Sequence, residues 1–144
     1  MYGGDVIKKQ GTPVTLTEVL IRSAFMSPDR GVTYIKEGGR TLTQTYPELL
    51  TNAERVLSGL RKAGLTNGDQ VLLQLKDHQD FITAFWGCIL GGIIPTPVSV
   101  PPVYDETNQA VNKLKGVFQP QNEPFILTNE ASAEDIAGAY WGGI

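Results

Sequence analysis

The sequence is nearly bare of the side chains that build metal and nucleophile sites. Its 144 residues include one cysteine, Cys88, and one histidine, His78. One cysteine cannot form an internal disulfide, and no second one completes a metal-binding spacing. Cys88 sits in an apolar stretch and reads as a small buried residue of a helix. His78 stands ten residues earlier, on a different face, and reads as a surface residue near a helix start. The two do not make a nucleophile–base pair.

Long apolar runs are missing as well. The longest, Ile89 to Val98, is broken by Gly91, Gly92, Pro95 and Pro97. A membrane span needs roughly 18 such residues. The start, Met1-Tyr-Gly-Gly-Asp5, has no charged segment followed by an apolar one, so no signal peptide is expected. A cytoplasmic location follows as the expectation. Positive charge is not in excess either. Twelve Lys and Arg face fifteen Asp and Glu, for a net charge of −3. That gives no electrostatic ground for nucleic acid or an anionic membrane as partner. Hydrophobic residues make up 41% and charged residues 19%. This balance belongs to a folded domain rather than a disordered chain.

What is present is a sequence of well-marked local signals. Residues 1–14 are polar and punctuated by Gly and Pro, and read as a leading arm. Leu16 to Met26 places Leu16, Val19, Leu20, Ala24 and Phe25 near helical spacing. Thr15 or Thr17 caps this helix, Glu18 lies in its first turn, and Ser27-Pro-Asp-Arg-Gly31 stops it. Val32–Ile35 and Arg40–Thr43 flank Lys36-Glu-Gly-Gly39, a hairpin signature. The hairpin is expected to lie against the main sheet or form its edge. Thr45-Tyr-Pro-Glu48 is a capping box, in which Thr45 and Glu48 each satisfy the other's orphan backbone N–H. Pro47 fits the first turn, where its missing N–H costs nothing. Leu49, Leu50, Ala53, Val56, Leu57, Leu60 and Ala63 then form a 3.6-residue stripe, and Gly64 follows as a left-handed cap.

The second half alternates strand and helix. Gln70–Leu75 is a strand. Asp77 caps the next helix and Asp80 lies in its first turn. Phe81, Ile82, Ala84, Phe85, Cys88 and Ile89 form its inner face, and Gly91-Gly92 stops it. Ile93–Val98 is a strand whose two prolines argue for an edge or irregular position. Val100–Thr107 is an extended connector, Asn108–Phe118 a helix and Pro124–Thr128 a buried strand. Asn129 caps a final helix over Ala131–Ala139. Strands each separated by a helix have the spacing of right-handed crossovers in a largely parallel sheet.

Motifs for chemistry are absent. There is no G-x-x-x-x-G-K-[ST], no G-x-G-x-x-G after a strand and no G-x-S-x-G. Gly38-Gly39 fits a hairpin turn, Gly91-Gly92 a helix stop, and Gly142-Gly143 a flexible end. Asp69, Asp77, Asp80, Asp105, Glu106, Glu130, Glu134 and Asp135 are scattered, and the Asp77/Asp80 pair suits capping better than acid–base work. Trp86 stands amid Phe81, Phe85 and Ile89, which favours packing over ligand stacking. Tyr140 and Trp141 differ. Two large aromatics side by side call for a covering surface, which makes them a candidate partner interface. No catalytic, cofactor-binding or metal residue is assigned.

Three ordered motifs resemble a known family. Thr43-Gln-Thr-Tyr-Pro-Glu-Leu-Leu50 is similar to the first core motif of the adenylate-forming superfamily. Leu60-x-x-Ala-Gly-Leu-x-x-Gly-Asp-x-Val71 resembles the segment that follows it. Asp80-Phe-x-x-Ala-Phe-Trp-Gly-Cys-Ile-Leu-Gly-Gly-Ile-Ile-Pro-Thr-Pro97 resembles the second core motif. Val98-Ser-Val-Pro-Pro-x-Tyr104 and Asn108-x-x-x-Asn-Lys-Leu114 look most like adenylation domains of nonribosomal peptide or hybrid polyketide synthetases, or fatty acyl-AMP ligases. Pro124-Phe-Ile-Leu-Thr128 matches their next strand. The resemblance runs from about residue 15 to 140.

The resemblance implies a parent that binds ATP and Mg2+, turns a carboxylic acid into acyl-AMP and passes it to a phosphopantetheine thiol. The family's phosphate loop ending in Pro-Lys-Gly is absent here. So are its aromatic-Gly-x-Thr-Glu and Thr-Gly-Asp motifs and its C-terminal lysine. No functional residue carries over. The expected fold is α/β: a parallel-rich sheet flanked by helices with an N-terminal β-hairpin, the N-terminal subdomain of the adenylate-forming fold. Residues 1–14 would be the arm and 15–144 a partial subdomain. The expected function is scaffold, inactive alone and binding no cofactor. Its partners would be the remainder of the adenylation domain or synthetase and a carrier protein. Two other readings stay open: a non-catalytic docking module derived from an adenylation domain, and an independent flavodoxin-like ligand domain.

Overall fold

The computed structural model describes residues 4, 9–101, 109, 125–130 and 133. Each element begins where its cap chemistry places it. Thr15 accepts a bond from the Glu18 N–H and opens helix α1, Leu16–Met26. Strands β1, Gly31–Ile35, and β2, Thr41–Thr45, follow as a hairpin. A 3-10 turn over Glu37–Gly39 joins them, with Gly38 and Gly39 both at a φ of 76°. That left-handed conformation carries little penalty for glycine. The Thr45–Glu48 capping box then starts α2, Tyr46–Lys62, with Pro47 in the first turn. The Thr45 N–H donates to Glu48 Oε2 at 2.8 Å. That backbone bond, and the Thr45 hydroxyl after it, hold the Glu48 carboxyl below its ordinary value.

Strand β3, Gln70–Gln74, leads to Asp77. Its carboxylate accepts from the Gln79 and Asp80 N–H groups and caps α3, His78–Leu90. Strand β4 is Ile94–Pro97 and β5 is Phe125–Thr128. β3 pairs in parallel with both, in the order β4-β3-β5. β4 therefore lies at an edge, where Pro95 and Pro97 cost no ladder bond. The mixed α/β class, the parallel sheet and the N-terminal hairpin are as expected. The expected helices over 108–118 and 131–139 fall outside the described residues, apart from Gln109 and Ala133, both helical. Among the described residues no helix is long and apolar enough to cross a membrane.

Of the two placements open to the hairpin, forming the edge of the parallel sheet is not the one taken: it makes its own two-stranded sheet. It rests on α2, through contacts from both strands. Helix α1 forms where the spacing placed it, with Leu20 as its single buried residue. Leu16, Val19 and Phe25 are exposed. The apolar residues of α1 spread around its circumference, so one contact with α2 and α3 cannot cover them all.

The core forms where α2 and α3 close on β3. Leu57, Leu60, Leu65, Val71, Leu73, Ala84, Cys88 and Ile93 make one buried cluster. The helices approach closely because Gly87 has no side chain. A Cβ there would stand 2.9 Å from the Ala53 carbonyl oxygen and 2.9 Å from Val56 Cβ. Gly59, in contrast, faces open space on α2. Replacing each by alanine should therefore have opposite effects. Gly87→Ala is expected to cost about 1–3 kcal/mol through overpacking. Gly59→Ala should stabilise by roughly 0.5–1 kcal/mol through the unfolded chain and helix propensity. Urea unfolding of both variants checks the pair, and equal effects would contradict the packing described.

Candidate functional site

In an open parallel sheet, ligands bind outside the carboxyl ends of the strands, where the chain steps to opposite sides. β3 is such a strand, since β4 and β5 flank it and both follow it in sequence. Three local bonds close its carboxyl end. The Val98 N–H donates to the Leu73 carbonyl at 3.0 Å. Thr128 Oγ1 donates to the Gln74 carbonyl at 2.9 Å, and Gln74 Nε2 donates to the Ser99 carbonyl at 3.0 Å. Gln74 is 2% exposed. Its Oε1 has no hydrogen-bond partner among the described residues. The bond to Ser99, a pure acceptor, fixes which end of the amide is the oxygen. A buried acceptor left unpaired costs about 1–3 kcal/mol.

The loop after Gln74 carries the second half of the region. Asp77 spends one oxygen on its cap bonds to Gln79 and Asp80. Its other oxygen accepts from Lys36 Nζ at 2.7 Å, which ties the hairpin to the start of α3. The Lys36 ammonium also stands 5.6 Å from the centre of the Tyr34 ring. Behind it, the Tyr34 hydroxyl donates to Gln44 Oε1 at 2.9 Å, and Gln44 Nε2 reaches Thr83 Oγ1 at 3.5 Å. The hydrogen bond from Lys36 is the largest cause holding the Asp77 carboxyl below its ordinary value. Burial, and then the Asp77 charge, push the Tyr34 phenol upward.

This arrangement positions backbone and does little else. Asp77 is committed to the cap and to Lys36, so it is not free as a general base. Burial pushes the Cys88 thiol up to about 11. The thiolate needed for attack is therefore suppressed at neutral pH. Among the described residues no group of three His, Cys, Asp or Glu side chains gathers to hold a metal ion. His78 is exposed at the start of α3, as expected. Trp86 packs edge-on against Phe85, their ring centres 5.8 Å apart. Tyr140 and Trp141, the candidate partner interface, lie outside the described residues. Sequence reasoning missed Gln74, Lys36 and Gln44. Gln74 carried a signal, a glutamine within the apolar run of a central parallel strand. Lys36 and Asp77, 41 residues apart, carried none.

The family model described as AMP-binding enzyme matches residues 20–114, more than half of the chain. The chain belongs to the AMP-binding enzyme family. An atromentin synthetase, invA5 of Paxillus involutus, is 26% identical over 133 residues, covering 88% of this chain and 13% of that protein. The structure of McyG A-PCP complexed with phenylalanyl-adenylate is 39% identical, with a TM-score of 0.82 over 90% of this chain and 23% of that one. An adenylation domain of a keto acid-selecting NRPS module, bound to keto acyl adenylate, is 44% identical. Its TM-score is 0.84 over 95% of this chain and 25% of that one. This AMP-binding family member thus spans about an eighth of the curated relative and a quarter of the solved chains.

Two measurements test the geometry. A carboxyl whose pKa is depressed on folding adds stability above its unfolded value, and that stability fades as pH falls through the folded one. Asp77 should therefore contribute fully above its ordinary value of 3.8 and lose that contribution below it. Lys36→Met removes the main cause. It should flatten this acid limb and cost less than about 1 kcal/mol at neutral pH, since the pair is partly exposed. An unchanged acid limb in denaturation against pH would contradict the assignment.

Gln74→Met loses the bond to Ser99 but also removes the unpaired acceptor. It should stay within about 1 kcal/mol of the parent. Gln74→Glu buries an uncompensated charge and should cost roughly 3 kcal/mol or more. Chemical denaturation of the two variants separates these outcomes.

Proposed function

We propose that the chain is the N-terminal scaffold of an adenylate-forming ligase. In the whole enzyme, a carboxylic acid and ATP give acyl-AMP and pyrophosphate, and a phosphopantetheine thiol on a carrier protein then displaces AMP to form a thioester. One observation carries the reading: over 95% of its length the chain follows an adenylation domain bound to keto acyl adenylate, while covering 25% of that chain. A carrier-bearing neighbour, McyG A-PCP, supports the transfer step.

In this reading ATP and Mg2+ are held by the rest of the ligase and not by the described residues. Asp77 is spent on a helix cap and on Lys36. The sequence lacks the phosphate loop, the adenine and ribose motifs and the catalytic lysine of the family it resembles. Scaffold here means holding the sheet and α3 in place for groups supplied by the rest of the ligase. Titration calorimetry of residues 1–144 with Mg-ATP should give no binding in the micromolar range. Micromolar binding would overturn the scaffold reading.

A further inference from the structure

Strand β4 leaves one side of its backbone without a ladder. Among the described residues it pairs with β3 alone. The Ile94 N–H donates to the Asp69 carbonyl at 2.8 Å, and the Val98 N–H donates to the Leu73 carbonyl at 3.0 Å. Along a parallel strand, the backbone groups of alternate residues turn to opposite sides. Residues 94, 96 and 98 therefore face β3, and residues 95 and 97 face outward. Both outward residues are proline, and neither has an N–H to donate. The outer edge of β4 thus presents carbonyls and no amide donor.

In other respects this edge is a template for pairing. Ile93, Ile94, Thr96 and Val98 are β-branched, as strands favour. Ile94 is 53% exposed and Pro97 is exposed too, so another chain can reach the edge. Charged side chains commonly blunt such an edge. Here none is available, because no Asp, Glu, Lys or Arg occurs from Phe81 to Tyr104. An uncharged β-branched segment at an open edge is the kind that pairs with its own copies.

We propose that Pro95 and Pro97 are the groups that keep β4 from pairing with a second copy of this chain. With N–H groups at both positions, two β4 strands would lie antiparallel across a two-fold axis. Residue 95 of one copy would exchange bonds with residue 97 of the other, and 97 with 95. Proline removes the donor of every ladder bond in that register. The two parallel sheets would otherwise run together as one. This role is independent of the acyl-adenylate reading, and either can fail without the other.

The test restores the donors in the 144-residue chain. P95V/P97V supplies both, and each single variant supplies one. Sedimentation equilibrium over a concentration series reads self-association, and amide hydrogen exchange reads positions 95 and 97. The double variant should self-associate at least ten-fold more tightly than the parent, with the single variants between. Its new amides at 95 and 97 should gain protection as it associates. In the antiparallel register Thr96 stands directly opposite its own copy. Adding Thr96→Lys to the double variant therefore sets like charges face to face and should return association to the parent's level. Mixing that protein with its Thr96→Glu counterpart should restore it. Circular dichroism confirms that the variants fold, and the single variants carry the same comparison if the double variant does not. A folded variant that associates no more tightly than the parent, amides at 95 and 97 that stay unprotected in the associated state, or association indifferent to Thr96→Lys would each overturn the proposal.

Discussion

Helices α2 and α3 meet at Gly87 with no side chain between their backbones, and the rest of the fold depends on that contact. Ala53 is fully buried opposite. The close approach lets Leu57 and Leu60 of α2 interdigitate with Ala84 and Cys88 of α3 over Val71 and Leu73 of β3. It also fixes where α3 ends. Gly91 turns under Leu57, and Gly92 takes a φ of 64° that aims the chain into β4. At its other end α3 presents Asp77 to Lys36, so the hairpin is placed by the same helix. One missing methyl group thus positions both sheets, and larger residues at 87 would move all three connections together.

Much of this was legible because the signals were local. The bounds of α1, the Thr45–Glu48 box, the Gly64 cap and the Gly91-Gly92 stop each rest on residues within four positions of one another. Pro95 and Pro97 marked β4 as an edge because a proline cannot donate to a ladder. The features that escaped were those whose cause is distant. Lys36 finds Asp77 only after the hairpin folds back. The exposure of α1 follows from what its surroundings fail to cover, which periodicity alone does not reveal. Gln74 was visible as a letter, but its burial and its half-satisfied amide depend on the neighbouring strands.

The polar groups at the carboxyl end of β3 serve mainly to hold the backbone in place. A member of the AMP-binding enzyme family has the sheet end where such folds place ligands. Yet among the described residues most polar groups there are occupied by structure, Gln74 Oε1 being the exception. Asp77 is tied to a cap and an ammonium. The Gln74 carbonyl and Nε2 are tied to Thr128 and Ser99. The shared property is geometry, and geometry is what a sheet and two helices at 44% identity to an adenylation domain preserve.

Apolar supply points the same way. From Phe81 to Leu90, α3 carries no charged residue. Helices that are apolar on every side belong between two layers. In this chain α3 buries Ala84, Gly87 and Cys88, while Ile82, Trp86 and Ile89 stay half-covered. Helix α1 repeats the pattern more strongly, with one buried residue of eleven. Roughly 25 cal/mol accompanies each Å² of apolar surface removed from water, so such faces represent unused driving force for association. The bonds at the carboxyl end of β3 are mostly satisfied within the chain, by Lys36, the α3 cap and Thr128, so the two surfaces differ in kind: one is closed by its own polar groups, the other exposes apolar area.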